Sequence, residues 1–284
     1  MGDMQLPDGR TISYREVGDP DGVPVIALHG SPGSSRQLQG LGGPAQARGV
    51  RLILPDRAGY GGSTFDPART LSSDAADNAA LLDHLGLDRV AVAGLSGGGP
   101  HALALAARHP EKVRAVATIG GVAPMKPRDP SLPPDRLFSR VAGWSESGAR
   151  AVFGLTTWLA HRNPEGILDR FAKVMAPADA EVLRDDPATR EAMLDDFRNP
   201  APTTARATAR DFALFAKPWD IDLGAVAAHV DVWHGDEDRN VPVQHGRLLA
   251  RVLPDAELHE IEGGGHLLLG QLDDVLGGLS GGRP

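Results

Sequence analysis

The chain has 284 residues, of which 41% are apolar, 5% aromatic and 23% charged. That apolar share supports a sizeable core and excludes a disordered chain. With 29 basic against 37 acidic residues the net charge is -8, which argues against a broad nucleic-acid surface or an anionic-membrane binder; the absence of cysteine removes disulfides, thiolate nucleophiles and Cys-ligated zinc.

The opening MGDMQLPDGR is charged and ends in a Pro-Asp-Gly turn, with no apolar run of the secretory type behind it. The longest apolar stretches, such as Val25–Leu28 and Val90–Leu95, are strand-sized and far short of the ~20 residues that span a bilayer. The expectation is a soluble, cytoplasmic protein. Thr11–Val17 alternates and predicts a strand, Asp19–Gly22 a turn, and Val23–Leu28 a buried strand. Gln37–Arg48 has room for a helix that Gly40, Gly42, Gly43 and Pro44 weaken. Val50–Leu54 follows as a strand and Asp56–Ser63 as a glycine-rich loop. Ser72 or Ser73 predicts the cap of a helix that runs to Leu85 and stops at Gly86. Arg89–Leu95 and Val113–Ile119 read as strands on either side of a Gly98–Arg108 helix. Continuous apolar strands alternating with helices imply an α/β fold with a mostly parallel sheet covered on both faces. The opening strands add an antiparallel edge.

The rhythm breaks at Pro124. Pro124–Pro134 holds five prolines and reads as linker. Six helical patterns follow: Pro134–Ala142, Glu146–Ala160, Pro164–Lys173, Ala178–Arg184, Ala188–Phe197 and Thr203–Phe215. The α/β rhythm then resumes with a strand at Val230–Trp233, a helix at Pro242–Leu253, a strand at Ala256–Ile261 and a helix from His266 to about Leu276. The expected organisation is a discontinuous core, residues 1–123 plus 216–284, carrying an inserted helical cap at 124–215.

The strongest local signal is Gly94-Leu95-Ser96-Gly97-Gly98, a strand, sharp turn and helix in succession. Such a turn lifts the Ser96 hydroxyl above the sheet and leaves the Gly97 N–H at a helix N-terminus, facing developing negative charge. The plainer reading is a glycine-rich turn that only packs tightly. A serine nucleophile needs a base. Among ten histidines, His266 follows Gly263-Gly264-Gly265, a loop able to carry its ring over Ser96. His84, His109, His161 and His229 read as surface or packing residues, and His101 lies within a helix, pointing away. The base needs a carboxylate to fix its tautomer. Gly235-Asp236-Glu237-Asp238, leaving a strand end, supplies Asp238 as first choice and Asp236 as its rival. The second oxyanion donor is expected from His29-Gly30-Ser31-Pro32-Gly33, through the Ser31 N–H, with His29 bracing the loop. No phosphate-loop spacing and no full metal-ligand set is evident, so neither cofactor nor metal is called for.

With His29–Gly33, Asp56-Arg57-Ala58-Gly59-Tyr60-Gly61-Gly62-Ser63, Gly94–Gly98, Gly235–Asp238 through Val241-Pro242, and Gly264-Gly265-His266 in this order, the chain resembles a capped α/β-hydrolase of the lipase and esterase type. The resemblance implies an eight-stranded, mostly parallel sheet with the cap after the sixth strand. It implies Ser96 as nucleophile, Asp238 as acid, His266 as base, and Ser31 and Gly97 as oxyanion donors. Epoxide hydrolases and haloalkane dehalogenases of this fold carry an aspartate where Ser96 stands. The expected activity is hydrolysis of a small to medium carboxylic ester or lactone through an acyl-enzyme. The alternatives are a proline-type aminopeptidase, a carbon–carbon bond hydrolase, or a non-catalytic small-molecule receptor on the same shell. Trp144, Phe153, Leu155, Trp158, Leu159 and Phe171 suggest either an apolar pocket for an uncharged or moderately hydrophobic substrate or the packed core of the cap itself. No nucleic-acid partner and no membrane insertion are expected.

Overall fold

The computed structural model describes residues 1–124 and 145–281. The predicted linker beyond Pro124, the Pro134–Ala142 helix and Trp144 lie outside the described residues. Eight strands form one sheet: β1 Gly2–Gln5, β2 Thr11–Gly18, β3 Val23–Leu28, β4 Val50–Pro55, β5 Val90–Leu95, β6 Val113–Ile119, β7 Val230–Gly235 and β8 Ala256–Ile261. Their order is β1-β2-β4-β3-β5-β6-β7-β8, antiparallel at β1·β2 and β2·β4 and parallel from there on.

Side-chain alternation sorts the central strands between two layers. Ile26, Leu28, Val90 and Val92 face one core with Leu81 and Leu82 of helix α2 (Leu71–His84), Leu103 and Leu105 of α3 (Gly99–Arg108), and Leu249. Val25, Ala27 and Ala91 face the other, against Ala45 of α1 (Gly42–Ala47) and the carboxyl-terminal Val275, Leu276 and Leu279. Two covered faces explain why these strands read as unbroken apolar runs.

Between β6 and β7 the described residues form helices only: α4 Glu146–Arg162, α5 Pro164–Ala172, α6 Pro177–Asp185, α7 Pro187–Arg198 and α8 Thr204–Phe215. After β7 come α9 Gln244–Val252 and α10 Leu272–Ser280. Helix α7 docks on the 3-10 turn Ser35–Leu41: Asp195 accepts from Arg36 at 2.8 Å and Gln39 at 3.1 Å, and Asp196 accepts from the Ser34 hydroxyl.

Strand β1 has no counterpart among the expected elements, because it is not apolar enough to read as a strand; pairing of Met4 with Ile12 makes it. Three expectations need correction. The cap of α2 is Thr70, with Ser73 three residues on completing a reciprocal capping box. Gln37–Arg48 divides into the 3-10 turn and the short α1. His266 does not begin a helix, because Leu268 adopts a left-handed φ of 44° and α10 starts only at Leu272. Of the described large apolar side chains in the insert, Phe153 packs with Phe212 at 5.1 Å in an internal core. Leu155, Trp158, Leu159 and Phe171 are exposed, so they lie neither in the packed core of the insert nor in an enclosed pocket.

Candidate active site

The sheet changes direction between β3 and β5, where β4 lies on one side of β3 and β5 on the other. Loops at the carboxyl ends of such strands diverge and leave a crevice. Ser96 sits there with φ at 53°, one of two non-glycine residues at positive φ among the described residues. A side chain held in this region stores strain, which persists only where surroundings enforce it. The surroundings are close-packed backbone: a Cβ on Gly98 would lie 2.2 Å from the Leu28 carbonyl oxygen, and one on Gly94 2.6 Å from that of Gly98. The turn therefore demands glycine on both sides of Ser96 and gives the serine no room to relax.

The loop after β3 closes over this turn. A Cβ on Gly97 would lie 2.5 Å from Ser31 Oγ, and one on Gly30 3.5 Å from Ser96 Cβ. The Ser31 N–H has no hydrogen-bond partner among the described residues. His29 is fully buried; its Nε2 accepts from the Arg57 N–H at 3.2 Å, so its Nδ1 donates to the Gly30 carbonyl at 2.8 Å. Burial and the charge of Arg57 hold its pKa well below the ordinary value, so the ring braces the loop as a neutral group.

Across the crevice, β7 delivers Asp238. Its Oδ1 accepts from the N–H groups of Asn240 at 2.8 Å and Val241 at 2.9 Å, and its Oδ2 accepts from His266 Nδ1 at 2.7 Å. The carboxylate thereby places the imidazole proton on Nδ1 and leaves Nε2 as an acceptor. Burial pushes the Asp238 carboxyl up, but His266, the Val241 N–H and His234 outweigh it and the net shift is downward. Burial disfavours the charged His266 ring, yet Asp238 and then Asp179 outweigh it and raise its pKa. Asp236 is exposed and shares no contact with His266; its N–H donates to the Ile261 carbonyl.

The loop after β6 joins the two halves. Leu95, Ile119 and Trp233 are in register across β5, β6 and β7. The Val122 N–H donates to the Ser96 carbonyl at 3.3 Å, while a Cβ on Gly120, at a φ of 54°, would lie 2.8 Å from His266 Nδ1. The structure thus gathers Ser96, Gly97, Ser31, Asp238 and His266 at one end of the sheet. Among the described residues no hydrogen bond joins Ser96 Oγ to His266, a contact that in free enzymes often closes only with substrate bound.

What stands behind Ser31 comes from residues far apart in the chain. Asp211, from α8, is fully buried and accepts from the Ser31 hydroxyl, from Arg57 at 3.0 Å, from Tyr60 at 2.8 Å and from Arg69. Arg57 also donates to the carbonyls of His29 and Gly30 and to Ser31 Oγ. Burial would raise the Asp211 carboxyl, but Arg69, Arg57 and His101 hold it well below the ordinary range. His101 lies between two acids, its Nδ1 2.8 Å from Asp74 and its Nε2 3.7 Å from Asp211. The one signal in the sequence was the Asp56–Ser63 motif itself; its partner Asp211 lies too far along the chain to be paired by eye. The described residues whose ligand atoms cluster as in a metal site are His229, Asp231 and Glu257, toward the opposite ends of β7 and β8 from Asp238.

A family model described as alpha/beta hydrolase fold matches residues 23–271. The chain is 31% identical over 252 residues to a 2-hydroxymuconate semialdehyde hydrolase of Pseudomonas putida, covering 87% of this chain and 81% of that one. It is 30% identical over 259 residues to a 2-hydroxy-6-oxo-6-phenylhexa-2,4-dienoate hydrolase of Burkholderia cepacia, covering 86% and 82%. An esterase from Exiguobacterium antarcticum superposes with a TM-score of 0.73 at 20% identity over 98% of each chain, a likeness of fold. No helix among the described residues is long and apolar enough to cross a membrane.

Proposed function

Because the chain belongs to the α/β-hydrolase fold family, we propose that it is a serine hydrolase that cleaves a small carbonyl compound through Ser96, His266 and Asp238, with an ester or lactone as the simplest substrate. The observation that carries the reading is the His266–Asp238 hydrogen bond at the same end of the sheet as Ser96, which is held at positive φ.

His266 Nε2 takes the Ser96 proton as Oγ attacks the carbonyl carbon, and Asp238 stabilises the imidazolium that forms. The N–H groups of Ser31 and Gly97 receive the oxyanion; one such donor is worth about 3 kcal/mol in the transition state. Collapse expels the leaving alcohol with the proton from His266. Water, deprotonated by the same ring, then hydrolyses the acyl-enzyme and returns Ser96 to its free form. No cofactor enters the scheme. Residues 124–215 serve as the cap, and 1–123 with 216–284 as the core that carries the chemistry.

A second reading, hydrolysis of a carbon–carbon bond, draws support from the relatives described above, which are named as hydrolases of 2-hydroxymuconate semialdehyde and of 2-hydroxy-6-oxo-6-phenylhexa-2,4-dienoate rather than of esters. The same serine, base and oxyanion donors serve that reaction, with a stabilised carbanion leaving in place of an alcohol. The experiment uses 4-nitrophenyl butyrate and a vinylogous diketone with the wild-type chain and Ser96→Ala. Turnover lost in Ser96→Ala, with a fluorophosphonate label mapped to Ser96, is the expected result. Turnover that survives Ser96→Ala, or stoichiometric ligand binding with neither substrate cleaved, would refute the proposal. The ratio of the two kcat/KM values decides between the readings.

A further inference from the structure

We propose that Asp179 is a positioning residue for His266: from the insert it pins the backbone on both sides of the ring, and it sets a second buried carboxyl group beside the loop that carries it. The inference rests on the reading of His266 as the general base.

Asp179 stands in the first turn of α6 and is 1% exposed. Its Oδ1 accepts from the Leu267 N–H at 2.8 Å. The carboxylate lies flat against the residue before His266, since a Cβ on Gly265 would come within 2.4 Å of its carboxyl carbon. The backbone on both sides of the ring therefore meets the same side chain. The Leu267 side chain packs with Leu168, Met175, Leu183 and Leu194, the internal core of α5, α6 and α7. The sheet holds the loop from the other side, where the Glu237 N–H donates to the Gly264 carbonyl at 3.0 Å.

Asp179 Oδ2 is buried and has no hydrogen-bond partner among the described residues. A buried carboxylate oxygen without a donor is costly, and it persists where a nearby charge compensates. The groups that face His266 can be named element by element. The end of β7 and its loop bring Asp238 and, behind it, His234. Arg239 turns instead to the Met175 carbonyl at 3.1 Å. The Gly120-Gly121-Val122 loop carries no charge, and α6 brings Asp179. Two carboxylates against one imidazole favour the imidazolium, the form the ring takes once it has accepted the serine proton. The net upward shift of the His266 pKa agrees: burial lowers it, and Asp238 first and Asp179 after it raise it.

The test compares wild type, Asp179→Asn, Asp179→Ala and His266→Ala as full chains. Asn retains an acceptor for the Leu267 N–H and removes the charge; Ala removes both. The His266 Cε1–H resonance, assigned by its loss in His266→Ala, is titrated by NMR, and kcat/KM for 4-nitrophenyl butyrate is measured against pH. In Asp179→Asn the His266 pKa falls by about half to one pH unit, and the acidic limb of the profile moves to lower pH by the same amount. The sign follows because the rate needs the neutral ring, and loss of an anion makes the ring easier to deprotonate. Asp179→Ala loses roughly a further tenfold in kcat, with KM changed less, because the loop is no longer held. An Asp179→Asn titration and profile that superimpose on wild type, with His266→Ala inactive, overturn the proposal alone. Turnover retained by His266→Ala overturns the base assignment and the proposal with it.

Discussion

Replacing Asp211 by asparagine tests the buried ionic cluster behind Ser31, and the structure sets the scale of the loss. Arg57 would survive the change, because the carbonyls of His29 and Gly30 and the Ser31 hydroxyl still accept from it. Arg69 would not. Its Nε and Nη1 are buried without partners among the described residues, and apart from Asp211 its Nη2 meets only the Ala207 carbonyl, at 3.2 Å. The substitution therefore strands a fully buried guanidinium, and breaking a buried pair from one side costs about 3–5 kcal/mol. For a chain of this size that lowers Tm by roughly 10 °C in a far-ultraviolet dichroism melt. Arg69→Met in the same chain removes the stranded charge, so Asp211→Asn/Arg69→Met should melt above Asp211→Asn alone. The Asp211 carboxyl is held well below its ordinary range. Its contribution is complete above the unfolded pKa and is lost only as pH falls through the depressed folded value. The difference between wild type and Asp211→Asn should then be the same at about pH 5 and pH 7. A melt within measurement error of wild type, or a double variant less stable than Asp211→Asn, would refute this account.

Two further substitutions separate neighbouring residues. Asp238→Asn should lower kcat by about 10⁴ while Asp236→Asn, at an exposed position, stays near wild type; steady-state rates in the reverse order reassign the acid. Gly120→Ala places a methyl 2.8 Å from His266 Nδ1 at a φ of 54°. The ring must then shift, and labelling by a fluorophosphonate should slow by about a hundredfold; an unchanged labelling rate would show that the ring does not depend on that contact.

Local chemistry made much of this protein readable. Val23–Leu28 and Val113–Ile119 have the expected bounds because largely buried parallel strands are mostly apolar runs; Ala256–Ile261, at the sheet edge and half-buried, instead alternates apolar with polar side chains. Ser96 stood out because its turn needs glycine at fixed offsets, and Asp238 and His266 because each leaves a strand end in a short polar or glycine-rich segment. What stayed hidden depends on partners distant in sequence. Nothing near Gly2–Gln5 marks it as a strand; β2 does. Thr70 is a better cap than Ser72 or Ser73 because its hydroxyl meets the Ser73 N–H, a geometry that spacing alone leaves open. Nothing in the sequence around Asp179 or Asp211 sets them apart from other acids of the insert, and only the packing of the insert against the core buries them.

Those two carboxylates bear on what the insert is for. Asp211 in α8 grips the loop that carries Ser31, and Asp179 in α6 grips the loop that carries His266. The insert is therefore bonded to both sides of the crevice: to the loop of the proposed oxyanion donor and to the loop of the proposed base. A lid that only covered substrate would need neither bond, and its exposed aromatic residues would be expected to face inward. Here Trp158 and Phe171 are exposed while the acids are buried. Under the proposed function the insert acts through the placement of the loops of Ser31 and His266 as well as through contact with substrate. An insert exchanged from a relative without acids equivalent to Asp179 and Asp211 should for that reason lose kcat even on the smallest ester, which scarcely touches a lid. Retained kcat on such an ester, with only KM altered, would mean that the insert does no more than bind.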